Sequence, residues 1–322
     1  MKLSAAFGTC LDTPEHVRIA EELGYERAWL YDSPPILADV WTQLTRAADR
    51  TERIGLGTGV MIPSLRHPIT TAGAIATLVG VAGPERVVVG VGTGFTGRMA
   101  LGQKSLTWAS VAEYMRTVKA LLRGEEVLWE GQLIKMMAWP GFLPNLPIEV
   151  PWVVAAMGPK GEATARQEAV GVIVADAPLP GFDWSIMLQF GTVLRPGEDP
   201  NSARVMNAAG AGAAVFYHLA MALNNPDMVP GGKEYAALLD DVPDARRHLE
   251  LHYGHLCGLN ERDQKFITGE MLGGFGVALS KEAWREKLAG LEASGVTEVM
   301  YQPMGDNIPA ELEDFAAMFR GA

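Results

Sequence analysis

The sequence predicts a (β/α)₈ (TIM) barrel that forms one domain over residues 1–322. Within the first 91 residues, four apolar runs typical of buried strands each end in a polar or glycine-rich turn. Helix-like stretches separate these runs, and this alternation indicates parallel strands joined by helical crossovers. The chain is long for an ordinary domain but suits a barrel with insertions, and no low-complexity linker divides it.

The glycine run after the fourth strand suggests a different fold at first sight. Gly92, Gly94 and Gly97 spell G-x-G-x-x-G, the phosphate-binding pattern of dinucleotide folds. A unit of that kind opens its own βαβ module and carries an acidic residue at the tip of the next strand. Here the next segment, 107–123, has a helical pattern instead. The barrel is therefore favoured, and a nicotinamide dehydrogenase is the least favoured alternative.

The first four βα units carry both strand and helix-start signals. Pro14 stands at the first position of the first helix, where its fixed φ and missing N–H are tolerated. Pro34 and Pro35 force an extended turn after the second strand, because proline disfavours helix in the residue before it. The predicted elements are strand 3–8, helix 13–24, strand 27–31, helix 39–51, strand 54–61, helix 70–81, strand 86–91 and helix 107–123.

The second half gives clear signals only at its beginning and its end. Gly158 and Pro159 form a turn that opens a helix, and Asp176 follows the sixth strand. We place the seventh strand within 204–210, ahead of a helix through His218. Two or three inserted helices at 232–270 are expected to form a lid. The other predicted elements are strand 150–156, strand 171–175, helix 281–293 and strand 298–303.

Composition and charge limit the class of protein. A formal net charge of −11 argues against nucleic acid or an anionic membrane as the main partner. Cys10 and Cys257 form no spaced pair, which favours a reducing compartment. The amino terminus lacks the pattern of a signal peptide, and the apolar segment 208–223 is interpreted as buried core rather than a membrane span. We therefore expect a soluble cytoplasmic enzyme.

Six motifs stand in a familiar order along the chain: Asp32, Asp39-Val40-Trp41, Gly57-Thr58-Gly59-Val60, Arg66-His67-Pro68, Gly90-Val91-Gly92-Thr93-Gly94 and Ala155-Ala156-Met157-Gly158-Pro159-Lys160. With them the sequence resembles the bacterial luciferase-like superfamily of flavin and deazaflavin oxidoreductases. The nearest likeness is to the methylenetetrahydromethanopterin reductase-like branch, which uses coenzyme F420. It covers about residues 1–176 and the last βα unit. The resemblance implies hydride transfer between F420 and a small organic substrate.

The resemblance also implies where the cofactor binds. The phosphate is expected at the amides that follow Ala156, where Gly158-Pro159 opens a helix whose unpaired N–H groups can bind an anion. A cis peptide bond is expected between Gly59 and Val60. The glycines of strands three and four either let a flat ring lie against bare backbone or merely ease packing. The expected cofactor-binding residues are Gly57, Gly59, Val60, Gly92, Thr93, Gly94, Ala156, Met157, Gly158, Ala175 and Asp176.

The catalytic candidates depart from the pattern of some relatives. Ser33 stands where relatives often have a histidine, Phe95 where sugar-phosphate dehydrogenases have a glutamate, and Pro178 where a lysine is common. The chain therefore does not resemble the sugar-phosphate branch in its acid–base groups. Protonation is expected from water, a side chain near strand two, or a lid histidine. The catalytic candidates are Tyr31, Asp32, Ser33, His252 and His255, and the candidate walls of the substrate pocket are Trp41, Phe95 and Trp108.

Three lid histidines follow helical spacing. His248, His252 and His255 stand at i, i+4 and i+7, which places them along one face if a single helix contains them all. They lack the H-E-x-x-H pattern of zinc proteases. We interpret them as polar residues that line the lid, and no metal site is expected.

Two other functions remain open from the sequence. One is a monooxygenase that uses flavin mononucleotide (FMN) and receives electrons from a separate flavin reductase. The other is a flavin- or deazaflavin-binding protein without turnover, which the residues Ser33 and Phe95 keep under consideration. A homodimer is expected in either case.

Overall fold

The structure is a computed structural model that describes residues 1–321. Its strands, in chain order, are β1 (Lys2–Phe7), β2 (Arg27–Leu30), β3 (Gly55–Met61), β4 (Val87–Val91), β5 (Val127–Trp129), β6 (Gln132–Ile134), β7 (Trp152–Ala155), β8 (Gly171–Val174), β9 (Ser185–Phe190), β10 (Thr192–Leu194), β11 (Ala278–Ser280) and β12 (Glu298–Gln302).

The α-helices are α1 (Thr13–Glu22), α2 (Val40–Ala48), α3 (Pro68–Ala82), α4 (Phe95–Met99), α5 (Trp108–Leu122), α6 (Gly158–Glu168), α7 (Ala203–Ala222), α8 (Gly232–Ala237), α9 (Asp244–Leu251), α10 (Gly269–Gly274), α11 (Lys281–Ala293) and α12 (Ile308–Arg320). Short 3₁₀ turns lie at Pro63–Leu65, Pro84–Arg86, Pro226–Met228 and Asp263–Lys265.

Eight of the strands close into a parallel barrel, in the order β1-β12-β9-β8-β7-β4-β3-β2. The pairing of β1 with β12 closes the ring, with Leu3 opposite Val299. The predicted TIM barrel is therefore confirmed, and the glycine run follows β4 inside a closed barrel rather than opening a dinucleotide fold. The carboxyl ends of all eight strands lie at one face, where barrel enzymes bind their substrates.

Alternating side chains divide each strand between two cores. Along β2, Ala28 and Leu30 belong to the large cluster that packs the barrel against its outer helices. Trp29, between them, points into a smaller cluster built from strand residues such as Val88 and Met300. This alternation of two residues is the pleat of a strand with both faces buried. Trp29 is the largest of the interior side chains.

The seventh barrel strand lies elsewhere than we predicted. The strand is β9, at Ser185–Phe190, and the predicted segment 204–210 belongs to helix α7. Ser185 and Gln189 interrupt the apolar run of β9, yet both are buried in the closed barrel. The alanines and glycines of α7 resemble a strand in hydropathy but serve close packing: a Cβ on Gly212 would lie 2.7 Å from Phe190.

A helical insertion stands between β10 and β11, which pair with each other in parallel. It contains α7 to α10, so it begins earlier than the predicted lid at 232–270. Its core is a separate hydrophobic cluster that includes Val205, Tyr217 and Leu272. Helix α7 is the one helix within residues 1–321 that is long and apolar enough to cross a membrane, and it is mostly buried in this cluster. That burial agrees with the interpretation of 208–223 as core.

A buried carboxylate joins the strands at the amino-terminal end of the barrel. Glu298, the first residue of β12, is almost fully buried. Its Oε1 accepts hydrogen bonds from Ser4 Oγ (2.6 Å) and Trp29 Nε1 (2.9 Å). Its Oε2 accepts from Trp184 Nε1 (2.9 Å) and Arg27 Nη1 (3.1 Å). Every acceptor oxygen therefore has two donors, which offsets the cost of removing the carboxylate from water.

Replacing Glu298 with alanine is expected to destabilise the fold by about 3–5 kcal/mol, because four donors, one of them the charged Arg27, lose their partner. The free energy of unfolding, from urea titrations of both proteins, measures this. Glu26→Ala is the matched control. Within residues 1–321 this exposed glutamate at the same end forms an ion pair only with Lys2, at 3.9 Å, so its replacement should change stability by less than about 0.5 kcal/mol. A change below about 1 kcal/mol in Glu298→Ala would contradict the role given to this carboxylate.

Candidate active site

Asp32 lies directly after β2 and is fixed by the loop that follows β3. Its Oδ2 accepts a hydrogen bond from Arg66 Nη1 (2.6 Å) and another from the Ile62 backbone N–H (3.2 Å). Arg66 also donates to Asp39 at 2.6 Å, and Asp39 caps the amino terminus of α2. Burial raises the pKa of Asp32, and the ion pair with Arg66 opposes that rise. The Oδ1 atom has no hydrogen-bond partner within residues 1–321.

Tyr31 and Ser33 flank this aspartate with different surroundings. The Tyr31 hydroxyl donates to Gln302 Oε1 at 2.8 Å, across the barrel interior. Burial raises the pKa of Tyr31 far above its usual range, so the phenol stays protonated. Ser33 is buried, and a Cβ on Gly97 would lie only 3.2 Å from its Oγ. Gly97 thus allows α4 to lie directly over the Asp32–Ser33 turn.

The end of β3 contains the backbone feature that the resemblance implied. The peptide bond between Gly59 and Val60 is cis, so that prediction is confirmed. Gly59 and Val60 are half-buried at the mouth of the barrel, whereas Gly57 is buried below them. A Cβ on Gly57 would lie 2.6 Å from Val88 and 2.9 Å from Trp29. For Gly57 the packing interpretation therefore holds, because the space beside it is filled by Trp29.

The glycines after β4 make room for neighbouring side chains. A Cβ on Gly92 would lie 2.8 Å from Val60 Cγ2, so the absence of a side chain there lets Val60 sit against the β4 backbone. Gly94 has a φ of 81° and begins the short helix α4. Thr93, between them, is half-buried, as is Phe95. Gly92 thus lies against Val60, and Gly94 lies against the Ile62 side chain of the loop after β3.

The amino terminus of α6 is open to solvent. Met157 occupies the capping position without a side-chain hydrogen bond, and both Met157 and Gly158 are exposed. Gly158 has a φ of 64°, and a Cβ built on it meets nothing within 4 Å. Ala156, just before this turn, is buried. The first turn of α6 thus presents backbone N–H groups to an open space, where a helix favours an anion.

The end of β8 lies beside this turn, because β7 and β8 are paired strands. Ala175 and Asp176 are exposed there, and the Asp176 carboxylate accepts a hydrogen bond from the next backbone N–H, of Ala177 (2.9 Å). The structure therefore places the expected residues of strands five and six next to each other at the active face.

The candidate pocket aromatics lie in different surroundings. Trp41 is buried within the large core cluster at the start of α2. Trp108 packs on the first turn of α6, where a Cβ on Gly161 would come within 2.7 Å of its ring. Phe95 is half-buried at the start of α4. Phe95 shares the short helix α4 with Gly97, which approaches the Asp32–Ser33 turn.

The lid histidines do not lie along one helical face. Helix α9 ends at Leu251, so only His248 is inside it, and His252 and His255 belong to the turns that follow. These two are buried against His218 of α7, whose Nδ1 lies 2.7 Å from His255 Nδ1. Burial lowers the pKa of His252 to about 4 and also lowers that of His255, so both rings are neutral near pH 7. The spacing alone did not reveal the contact with His218.

The insertion reaches the active face through the segment after α9. A pocket of about 530 Å³ lies between this segment and the loops after β2 and β4. Its lining includes Pro35, Ile36, Ala100, His252, Cys257 and Leu259. Leu256, with a φ of 60°, packs against the cluster inside the barrel. Cys10 and Cys257 are free and exposed.

Comparison with known proteins agrees with this architecture. A family model described as "Luciferase-like monooxygenase" matches residues 8–298. The 5,10-methylenetetrahydromethanopterin reductase of Methanolobus tindarius is 25% identical over 315 residues, 92% of each chain. An F420-dependent glucose-6-phosphate dehydrogenase of Intrasporangium calvum is 30% identical over 197 residues, which are 52% of this chain and 58% of that protein.

A solved F420-dependent secondary alcohol dehydrogenase, in complex with an F420–acetone adduct, superposes with a TM-score of 0.65 at 17% identity. The alignment covers 99% of this chain and 98% of that one, which shows a shared fold. Since the family match extends over most of the chain, from the residue after β1 to the start of β12, the chain belongs to the luciferase-like monooxygenase family.

Proposed function

We propose that this protein is an oxidoreductase that transfers a hydride between the deazaflavin coenzyme F420 and a small organic substrate. The observation that carries the proposal is the uncapped, exposed start of α6 at Gly158, beside a barrel mouth bordered by Gly59 and Val60. The relatives named for F420 or for methylenetetrahydromethanopterin support the same cofactor class. The substrate itself is proposed only as a class.

The residues present suit a cofactor with a flat ring and a phosphate. The open space around Gly158 admits a phosphate to the backbone N–H groups of the first turn of α6. Gly59 and Val60, with Thr93 opposite, would support one side of the ring at the mouth. Gly92 and Gly94 allow the two loops to come close enough to form that surface. Ala175 and Asp176 would border the part of the cofactor that extends beyond its phosphate.

When bound, the deazaflavin supplies a ring carbon that accepts or donates the hydride. The protein's contribution is to orient the reactants, exclude water and hold a proton. Asp32 suits the last role, since burial raises its pKa and its Oδ1 has no other partner in the described chain. Arg66 fixes the carboxylate orientation through Oδ2. Tyr31 and Ser33 would position the substrate around it, with the Tyr31 hydroxyl committed to Gln302.

In the proposed reaction His252 and His255 act indirectly, as positioning residues. Both are buried against His218 rather than exposed at the barrel mouth, although His252 also borders the 530 Å³ pocket. We infer that they position the segment carrying Leu256, which closes over the barrel interior. The pocket beside them is the proposed approach for substrate, with Phe95 near its barrel side.

A second candidate is an FMN-dependent monooxygenase supplied by a separate flavin reductase. The description of the matching family as monooxygenases favours it specifically. The same open turn at Gly158 would take the phosphate of FMN, so the proposed phosphate site does not separate the two cofactors. A protein that binds the cofactor without turnover is the third outcome.

The homodimer and the cytoplasmic location expected from the sequence stay predictions. Exposed apolar side chains gather in the excursion between α5 and β7, and they are the surface that a dimer would cover: Leu128, Leu133, Met137, Trp139 and Phe142. Sedimentation as a single monomeric species at micromolar concentration would contradict the dimer.

Titration of the protein with F420 and with FMN, followed by absorbance and fluorescence, tests the cofactor assignment. We expect saturable binding of F420, with an affinity at least tenfold above that for FMN, about 1.4 kcal/mol. Reduced F420 should then be consumed in proportion to the product formed from a panel of small carbonyl and imine compounds. Tighter binding of FMN, with oxygen consumption, would support the monooxygenase instead. Binding without turnover of any compound would favour the third outcome.

Replacing Gly158 with valine is expected to weaken cofactor binding at least tenfold, because the side chain fills the phosphate approach and φ is positive there. Gly197→Val is the matched control: Gly197 also has a positive φ of 73° and nothing within 4 Å of a built Cβ, but it lies beyond β10. The control should keep the parent affinity. Equal affinities in the parent and in Gly158→Val would exclude this phosphate site.

Asp32→Asn is expected to lower kcat by about 10²-fold or more, the usual range for a lost acid–base group, with cofactor affinity nearly unchanged. Asp39→Asn is the control, since Asp39 contacts the same Arg66 but is partly exposed. Single-turnover rates with the best substrate of the panel measure both. If the two variants lose activity equally, Asp32 acts by holding the loop and not by holding a proton.

A further inference from the structure

A cluster of three histidines lies in the insertion, apart from the proposed cofactor site. His218 comes from α7, His252 stands at the end of α9, and His255 follows in the next turn. We propose that these three side chains bind one divalent transition-metal ion of the zinc type. The ion would fasten the segment carrying Leu256 to the core of the insertion.

The three rings converge closely enough to share an ion. One nitrogen of each histidine lies within 4.8 Å of the corresponding nitrogens of the other two. A zinc ion with bonds of about 2.0–2.1 Å in tetrahedral geometry separates its ligand nitrogens by about 3.3–3.4 Å. The Nδ1 atoms of His218 and His255 are 2.7 Å apart, closer than that value, so these two rings would move slightly apart to hold an ion. Small rotations of the rings would complete the site.

Asp263 supplies the outer support that a metal-binding histidine usually has. Its carboxylate lies 3.3 Å from His218 Nε2, on the side of the ring away from His255. The Tyr235 hydroxyl donates to the same carboxylate at 2.7 Å, and Asn260 accepts the Asp263 backbone N–H at 3.0 Å. A carboxylate that accepts a hydrogen bond from one ring N–H leaves the other ring nitrogen free to bind metal. His218 Nδ1 is therefore the nitrogen presented to the cluster.

An unpartnered buried nitrogen points to a missing ligand. His252 is 4% exposed and His255 is 3% exposed. The Nδ1 atom of His252 has no hydrogen-bond partner within residues 1–321. Burying such a group unpaired is unfavourable. A hydrogen-bonded relay from Asp263 through His218 to His255 accounts for the 2.7 Å contact but leaves His252 without a partner, whereas an ion would engage all three rings.

The surroundings define the class of ion and its access. Three imidazole nitrogens suit zinc, cobalt, nickel or copper, while magnesium and calcium require oxygen ligands. His252 borders the 530 Å³ pocket, which offers a route for the ion and a place for water as the fourth ligand. Because His252 and His255 come just before Leu256 in the chain, the ion would hold this segment against the barrel interior.

Metal binding to the whole protein, with no affinity tag and after treatment with a chelator, tests the proposal. Equilibrium dialysis against Zn²⁺ with elemental analysis should give one ion per chain, with a dissociation constant below about 1 μM. Co²⁺ should give the intense visible absorption of a four-coordinate site. A folded parent protein that retains less than about a tenth of an equivalent of Zn²⁺ at 10 μM free metal, on the order of ten times that constant, would overturn the proposal.

Variants separate the cluster from adventitious binding. His252→Gln and His255→Gln should each weaken Zn²⁺ binding by about 100-fold or more, and Asp263→Asn by about 10- to 100-fold. His248→Ala is the matched control, because His248 borders the same pocket but lies outside the cluster. It should bind Zn²⁺ as the parent does. Zn²⁺ should also raise the Tm of the parent but not of His252→Gln.

Retention of full stoichiometry in His252→Gln and His255→Gln, or loss in His248→Ala alone, would overturn the assignment. If the glutamine variants fail to fold, the Co²⁺ spectrum and the Zn²⁺ stoichiometry of the parent decide the question by themselves.

Discussion

The buried carboxylate of Glu298 is the constraint on which the barrel depends. It accepts hydrogen bonds from Ser4 of β1, from Arg27 and Trp29 of β2, and from Trp184 at the start of β9. In the barrel these strands stand in the order β2-β1-β12-β9, where the pairing of the first strand with the last closes the ring. Because a buried charge is tolerated only when its partners are in place, the network requires the closed ring. The active face lies at the opposite end of the barrel, where the strands have their carboxyl ends.

The two ends of the barrel use ion pairs for different purposes. At the amino-terminal end the Glu298 oxygens are all satisfied, so the group is structural. At the carboxyl end Asp32 keeps one oxygen without a partner while Arg66 holds the other. Arg66 also contacts Asp39, which couples the turn after β2 to the start of α2. A carboxylate with one oxygen held and the other free to bind a proton is suited to proton transfer rather than to stabilising the fold.

The insertion adds a second hydrophobic core and a second polar cluster to the barrel. Helix α7 forms the centre of that core, and the pairing of β10 with β11 ties its two ends together. Leu256 links the insertion to the barrel interior, since it packs with strand residues there. Any contact that holds His252 and His255 in place therefore also holds Leu256 against the barrel interior. The proposed cofactor surface and the segment around Leu256 come from separate parts of the chain.

Local signals in the sequence were sufficient for most of the barrel and for the turn that opens α6. Apolar runs and proline or glycine turns predicted β1 to β4 and the turn at Gly158, because these depend on neighbouring residues alone. Strand β9 was missed, since its polar residues Ser185 and Gln189 weaken the apolar pattern in the sequence, although both are buried in the closed barrel. The histidine cluster was also missed, because His218 and His255 stand 37 residues apart. Only the packing of α7 against the turns after Leu251 brings such distant side chains together.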